Sequence, residues 1–175
     1  MVRYDASTGE CLVFAFREGL LSRAAHDLEI RVEQFEIRVD DTSHQIEATF
    51  RANSPRVISA KLDGQPEELS ERDIEKIHNH IAEDVLHAQQ FPEVSFASSE
   101  VEEVDGGFRV QGSLNLHGQV GAIGADIRSD GGRWTTEVLI DQRDYGIKPF
   151  RALFGLIRIK PLVRVRVSVP QVARE

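Results

Sequence analysis

The sequence predicts an all-β fold: a single antiparallel barrel of roughly eight strands, with one amphipathic helix over about residues 70–89. Three observations lead there. Apolar and polar residues alternate along several stretches, which is the period of a strand with one buried face. Turn-forming runs separate those stretches by only a few positions: Asp40-Asp41-Thr42-Ser43, Asp105-Gly106-Gly107 and Ser129-Asp130-Gly131-Gly132. Short turns of that chemistry join antiparallel neighbours. A single segment departs from the alternation, repeats its apolar residues every three or four positions, and ends before Pro92. Proline disfavours helix in the residue before it and cannot donate to the helical ladder.

The first predicted strand, 10–17, reads ECLVFAFR and places Leu12, Phe14 and Phe16 on one face. The second, 28–39, carries Ile30 and Val32 in one parity and Phe35, Ile37 and Val39 in the other. A slip of one residue near Glu33-Gln34 restores a common inward face, so a bulge or sharp bend is predicted there. The third, 45–53, alternates Ile46, Ala48, Phe50 and Ala52. Ser70 is the predicted helix N-cap, with Glu71 and Asp73 near the positive helix end. Ile74, Ile77, Ile81, Val85 and Ala88 then form one apolar stripe. Strands at 93–103 (Val94, Phe96), 107–117 (Phe108, Val110, Gly112, Leu114, Leu116), 119–129, 133–143 (Val138, Ile140) and 161–170 (Val163, Val165, Val167, Val169) complete the set. Residues 53–69 and 144–160 read as irregular links. Gly118, Gly121 and Gly124 do not match the dinucleotide fingerprint, which needs GxGxxG between a strand and a helix; bending of the barrel wall is the expected role.

A chain of 175 residues is read as one domain, 1–175, large enough for a core without staples. Cys11 is the only cysteine, so neither an intrachain disulfide nor a cysteine-based zinc site forms. No run of about 18 apolar residues and no signal-like apolar region appears. No stable membrane insertion is expected. The expected location is cytoplasmic, with periplasmic as the alternative if a signal peptide has been removed. A net charge of −8 argues against nucleic acid as a partner. The charge is uneven: residues 141–175 hold eight Lys/Arg against three acids, and the remainder 13 against 26. Two readings stand: pairing of the last strand with an acidic neighbour, or a basic rim that meets an anionic head group or membrane surface.

Catalytic chemistry finds little support, and no catalytic residue is assigned. Cys11 lies in a strand pattern without a basic neighbour, and no serine sits in a GxSxG elbow. His80, Asp84 and His87 share one helical face and have the spacing of a metal chelate. A solvated helix surface is the favoured explanation, so no metal is expected. His26 and Asp27 are adjacent on a strand and point to opposite faces, so they make no dyad by themselves. The stronger signal is apolar. Phe14, Phe16, Ile30, Val32 and Phe50 are expected to line an interior with Phe96, Leu114, Leu116, Val138 and Ile140. Phe150, Leu153 and Phe154 lie where they could cover a mouth, with His26 nearby; Arg143, Lys148 and Arg151 could orient a polar or anionic head there. Periodicity does not decide between an open and a filled barrel.

Five short runs carry a family resemblance. They are Phe91-Pro92-Glu93-Val94-Ser95-Phe96-Ala97-Ser98, Gly112-Ser113-Leu114-Asn115-Leu116-His117-Gly118, Tyr4-Asp5, Ala25-His26-Asp27-Leu28 and Arg143-Asp144-Tyr145-Gly146-Ile147. In that content and chain order the sequence resembles the YceI-like proteins, bacterial lipid-binding proteins built on a lipocalin-like barrel. The resemblance departs at Asn79, where the family usually has a helix histidine; His78 and His80 flank it. It also departs in lacking an export signal. It implies an open barrel that binds a polyisoprenoid, a quinone tail or a fatty amide without catalysis, with no cofactor besides that bound isoprenoid or lipid. A homodimer is compatible with it. Two alternatives come from other classes: a metal-assisted hydrolase or isomerase using His26, His80, Asp84, His87 or His117, and an interaction protein with a filled barrel.

Overall fold

A computed structural model describes residues 1–18, 27–62, 64–152 and 157–171. Strand alternation produces one large antiparallel sheet. Its segments are β1 (Val2–Asp5), β2 (Glu10–Ala15), β4 (Asp27–Val32), β5 (Phe35–Val39), β6 (Ile46–Arg51), β7 (Pro55–Leu62), β8 (Gln65–Glu67), β9 (Glu93–Val104), β10 (Gly107–Leu116), β11 (Gln119–Asp130), β12 (Arg133–Asp141) and β15 (Leu162–Pro170). A second, three-stranded sheet joins β3 (Arg17–Glu18), β13 (Arg151–Ala152) and β14 (Ile157–Ile159).

Twelve segments stand where eight strands were predicted: the line 28–39 divides into β4 and β5, and β1, β7 and β8 are additional. β1 pairs with β5 and β2 with β4, so β1 and β2 run as one line beside β5 and β4. On the other side, β6 pairs with β5 and β7 with β4. β6 also pairs with β9, the hairpins β9 to β12 follow, and β15 joins β12 back to β2. The meander thereby closes on itself, and closure satisfies backbone groups that an open edge would leave exposed. The fold class is all-β, with an antiparallel barrel-like sheet.

The bend expected at Glu33-Gln34 separates β4 from β5. A second bend, between β6 and β7, nests against it through Ser54, which is buried. The Gln34 amide donates to Ser54 Oγ at 3.1 Å, the Ser54 hydroxyl donates to the Arg51 carbonyl at 2.8 Å, and the Glu33 amide donates to the Ser54 carbonyl at 3.2 Å. One side chain thus replaces ladder bonds that both bends interrupt. The bend also lets Ile30 and Val32 share an inward direction with Ile37. Residues 53–69, read as an irregular link, instead contain β7 and β8. Pro55 misled that reading; it is tolerated as the first residue of a strand. β1 was too short to register as a period.

Helix α1 (Glu71–Asn79) starts as predicted. Ser70 Oγ accepts the Asp73 amide at 3.2 Å, and the Asp73 carboxylate accepts the Ser70 amide at 3.3 Å, a reciprocal capping box. Bonds from the Ser70 hydroxyl and amide hold the Asp73 carboxyl below its ordinary pKa. The helix then widens into a π turn over His80–Val85, where the Leu86 amide donates to the Ile81 carbonyl at 2.9 Å. The extra residue rotates the following face, so Val85 and Leu86 both turn toward the barrel.

Phe14 and Phe16 overturn the inward face assigned to the first strand. In β2 the residues directed inward are Cys11, Val13 and Ala15. Phe14 stands on the outer wall, where the Arg164 guanidinium lies 4.6 Å from its ring centroid and Arg166 lies 5.7 Å away. A cation over an aromatic face covers apolar surface while keeping its charge near water. Both faces of β2 are therefore apolar in sequence, so alternation does not tell which one turns inward.

Two outcomes test this packing. Ser54→Ala is expected to lower stability by about 1 kcal/mol, because it strands the Gln34 amide at the double bend; an unchanged urea midpoint contradicts that role. Cys11 is 2% exposed, and burial, then the nearby Glu10 charge, push its thiol up to about 12. It is expected to resist thiol reagents at neutral pH until the barrel unfolds; rapid labelling of the native protein contradicts the burial.

Candidate functional site: a two-chambered cavity

The interior is hollow. Phe50, Phe96, Val138, Ile140 and Val165 point inward from a closed wall, yet each is only half-buried. Their uncovered surface faces a cavity of about 920 Å³. That volume is in the range of small-molecule sites. This wide chamber lies at the barrel end that carries the 40–45 turn. Tyr4, Ile37, Val110, Ile123, Ala125, Ile127 and Val167 are among its apolar walls. His44, Phe108 and Trp134 form an aromatic run along it: the Phe108 ring is 5.2 Å from His44 and 5.3 Å from Trp134.

A narrow chamber of about 490 Å³ lies at the other end, beneath the helix. Ile77, Ile81, Val85 and Leu86 supply its roof, and Ile30, Val32, Val94, Leu116, Ile147 and Val163 supply wall. Phe150, Ala152 and Ile159 approach from the small sheet and its leading segment. Phe50, Leu114, Ile140 and Val165 line both chambers and form the layer between them.

Polar groups divide by end. Asp40, Asp41 and Glu103 line the wide chamber, and no Lys or Arg does so among the described residues. Asp40 Oδ1 accepts the Ser43 amide at 2.7 Å, the Ser43 hydroxyl at 2.9 Å and the Thr42 amide at 2.9 Å. Those bonds, led by the Ser43 amide, hold its carboxyl below the usual range and keep it ionised. Asp41 pairs with the amino group of Met1. The narrow chamber is bordered by Arg51, Lys76 and His80, almost wholly through their apolar parts, with no carboxylate among the described residues. Gln142, also lining it, spends its amide on the carbonyls of Lys160 and Pro161 at 3.2 and 3.3 Å.

Of the predicted lining, Phe50, Phe96, Leu114, Val138 and Ile140 reach the wide chamber, while Ile30, Val32 and Leu116 reach the narrow one. Phe14 and Phe16 reach neither. At the predicted mouth, Phe150 lines the narrow chamber, but Arg143 does not: its guanidinium is held by Asp141 at 2.6 Å on an exposed turn. Aspartate two residues earlier both caps that turn and captures the cation. His26, Leu153 and Phe154 lie outside the described residues. The His80, Asp84, His87 face does not converge. His80 Nδ1 meets Asp84 Oδ2 at 2.6 Å, whereas His87 Nδ1 lies 2.8 Å from His117 Nε2. The π turn separates them, and no group of three potential metal ligands occurs among the described residues. Sequence reading missed Trp134 and His44 as lining residues. Trp134 continues the inward parity of Val138 and Ile140, a signal that was present; His44 sits in a turn, which has no period.

No curated protein matches the chain by sequence. Among solved structures, the chain is similar to BcnA of Burkholderia cenocepacia, with 13% identity, a TM-score of 0.65, and 94% of this chain and 97% of that one covered. It is also similar to a polyisoprenoid binding domain from Saccharophagus degradans implicated in plant cell wall breakdown, with 12% identity, a TM-score of 0.56 and coverage of 92% and 91%. A third similar structure is the Campylobacter jejuni YCEI protein, at 16% identity, a TM-score of 0.54 and coverage of 79% and 80%. Those likenesses show a shared fold. The model of the YceI-like domain matches residues 15–170, nearly the whole barrel. The chain belongs to the YceI-like domain family.

Proposed function

We propose that this barrel binds and carries a long-chain apolar or amphiphilic molecule, of the polyisoprenoid, quinone-tail or fatty-amide class, without catalysing a reaction on it. The observation that carries the reading is the unfilled apolar interior, about 920 Å³ in its larger chamber. Family membership and the polyisoprenoid binding domain among the similar structures support it. The energetics are sufficient. Each buried methylene contributes roughly 0.8 kcal/mol. A chain of about 20 carbons then gains on the order of 15 kcal/mol gross. Association and ordering cost about 4–15 kcal/mol, so a guest that fills most of the room binds and one that fills little does not. The interior groups are suited to holding a chain; His80 is engaged with Asp84, and His87 with His117.

Mass spectrometry of an organic extract of the purified protein tests the reading directly. A long-chain species in near-stoichiometric amount is expected. The absence of any lipid, together with failure of the extracted protein to take up an added prenol of about twenty carbons, contradicts it. Ala125→Trp, which fills part of the wide chamber, removes room for two or three methylenes and is expected to weaken uptake about tenfold or more. Its Tm is expected to stay near that of the parent; unchanged uptake contradicts the assigned site.

A further inference from the structure

We infer that the Tyr4 hydroxyl is the polar anchor of the wide chamber: the guest held there carries an uncharged hydrogen-bond acceptor, a carbonyl oxygen of the ketone, ester or amide kind, that receives this hydroxyl. The inference rests on the carrier reading and adds to it a functional-group class and a contact residue. Tyr4 is 7% exposed and packs with Phe35, Ile37 and Ala48, so its ring is part of the wall. The residue lines the wide chamber, and its hydroxyl has no hydrogen-bond partner among the described residues. Burial pushes its phenol up, so the hydroxyl keeps its proton at neutral pH and stands as a donor. A guest that displaces water from the chamber without offering an acceptor strands this donor; one that brings a carbonyl satisfies it.

The ladder fixes the depth of the anchor. Val2 pairs with Val39 beside the 40–45 turn, and Tyr4 pairs with Ile37 two residues further in. The same row runs through Ala48 and Phe96 to Leu114, one of the residues in the layer between the chambers. Tyr4 thus belongs to the apolar interior, below the rim. An ionised head drawn to that depth loses its hydration. An anion left at the rim meets Asp40 and Glu103, with no lining Lys or Arg among the described residues. A carbonyl has neither penalty. Other polar groups of the lining are spent or lie at the rim. The Thr136 hydroxyl donates to the Asp126 carbonyl at 2.8 Å, and the Gln171 side-chain amide donates to Ser129 Oγ at 2.6 Å. His44 sits in the turn itself, against Phe108.

Difference infrared spectroscopy of methyl stearate, isotope-labelled at its carbonyl, tests the anchor. In the parent the carbonyl band is expected at the lower frequency of a hydrogen-bonded ester. Tyr4→Phe keeps the ring and is expected to return the band to its position in a hydrocarbon solvent. The same substitution is expected to weaken methyl stearate about tenfold and to leave octadecane, delivered from cyclodextrin, bound as tightly or more so. A free carbonyl band in the parent overturns the anchor while leaving the carrier reading intact, and that band is readable whether or not the variant folds. A hydrogen-bonded band that survives Tyr4→Phe, or that is lost in His44→Ala alone, overturns it too. Equal weakening of methyl stearate and octadecane marks a packing role and also overturns it. Stearate bound as tightly as methyl stearate overturns the uncharged class. Failure of methyl stearate, stearate and octadecane alike to bind the parent defeats the carrier reading itself, and the anchor with it.

Discussion

Hydrogen bonding around the full circumference is what allows the interior to stay empty. A sandwich or a bundle is held by side chains that interlock across its core, so a void there removes the contacts that stabilise it. In this barrel the wall is secured by ladders from β1 and β2 round to β15 and back, and much of the packing lies within that wall. Tyr4, Val32, Phe35 and Ile37 form one buried cluster, and Leu114, Tyr145 and Ile147 form another. Half-buried inward side chains such as Phe50, Phe96 and Val165 keep part of their surface uncovered toward the cavity. They supply apolar surface whose missing contacts a guest restores.

The same closure explains the bends. Three long lines must curve sharply enough to bring β2 beside β15 while β6 stays beside β9. Ser54 holds two of those curves together, and the inward parity is recovered on both sides of the break. The helix lies where the chain leaves the wall between β8 and β9, and its π turn presents two adjacent residues, Val85 and Leu86, to the cavity.

Much of this was legible in the sequence, for physical reasons that vary by element. The β10 alternation of Phe108, Val110, Leu114 and Leu116 was decisive because only one of its faces is apolar, and the structure turns that face inward. β2 was ambiguous because Phe14 is sheltered by Arg164 from a different strand, a pairing that no local period contains. The break after Val32 showed as a parity slip, whereas β7 was hidden by Pro55 at its start. Arg143 looked available because its position near the mouth was read without Asp141, which captures it. The division of charge between the two ends was the least visible feature. It places Asp40 with Glu103 around one chamber and Lys76 with Arg51 around the other, groupings that exist only when the meander is closed.

The central claim is that a guest occupies the interior of the tube. Intermolecular nuclear Overhauser effects between an isotope-labelled long-chain guest and the protein's methyl groups test it most directly. The account predicts contacts to Leu114, Ile140 and Val165, in the layer between the two chambers. Contacts confined to the exposed outer methyls of Leu139 and Leu162, with the interior ones silent, would contradict it.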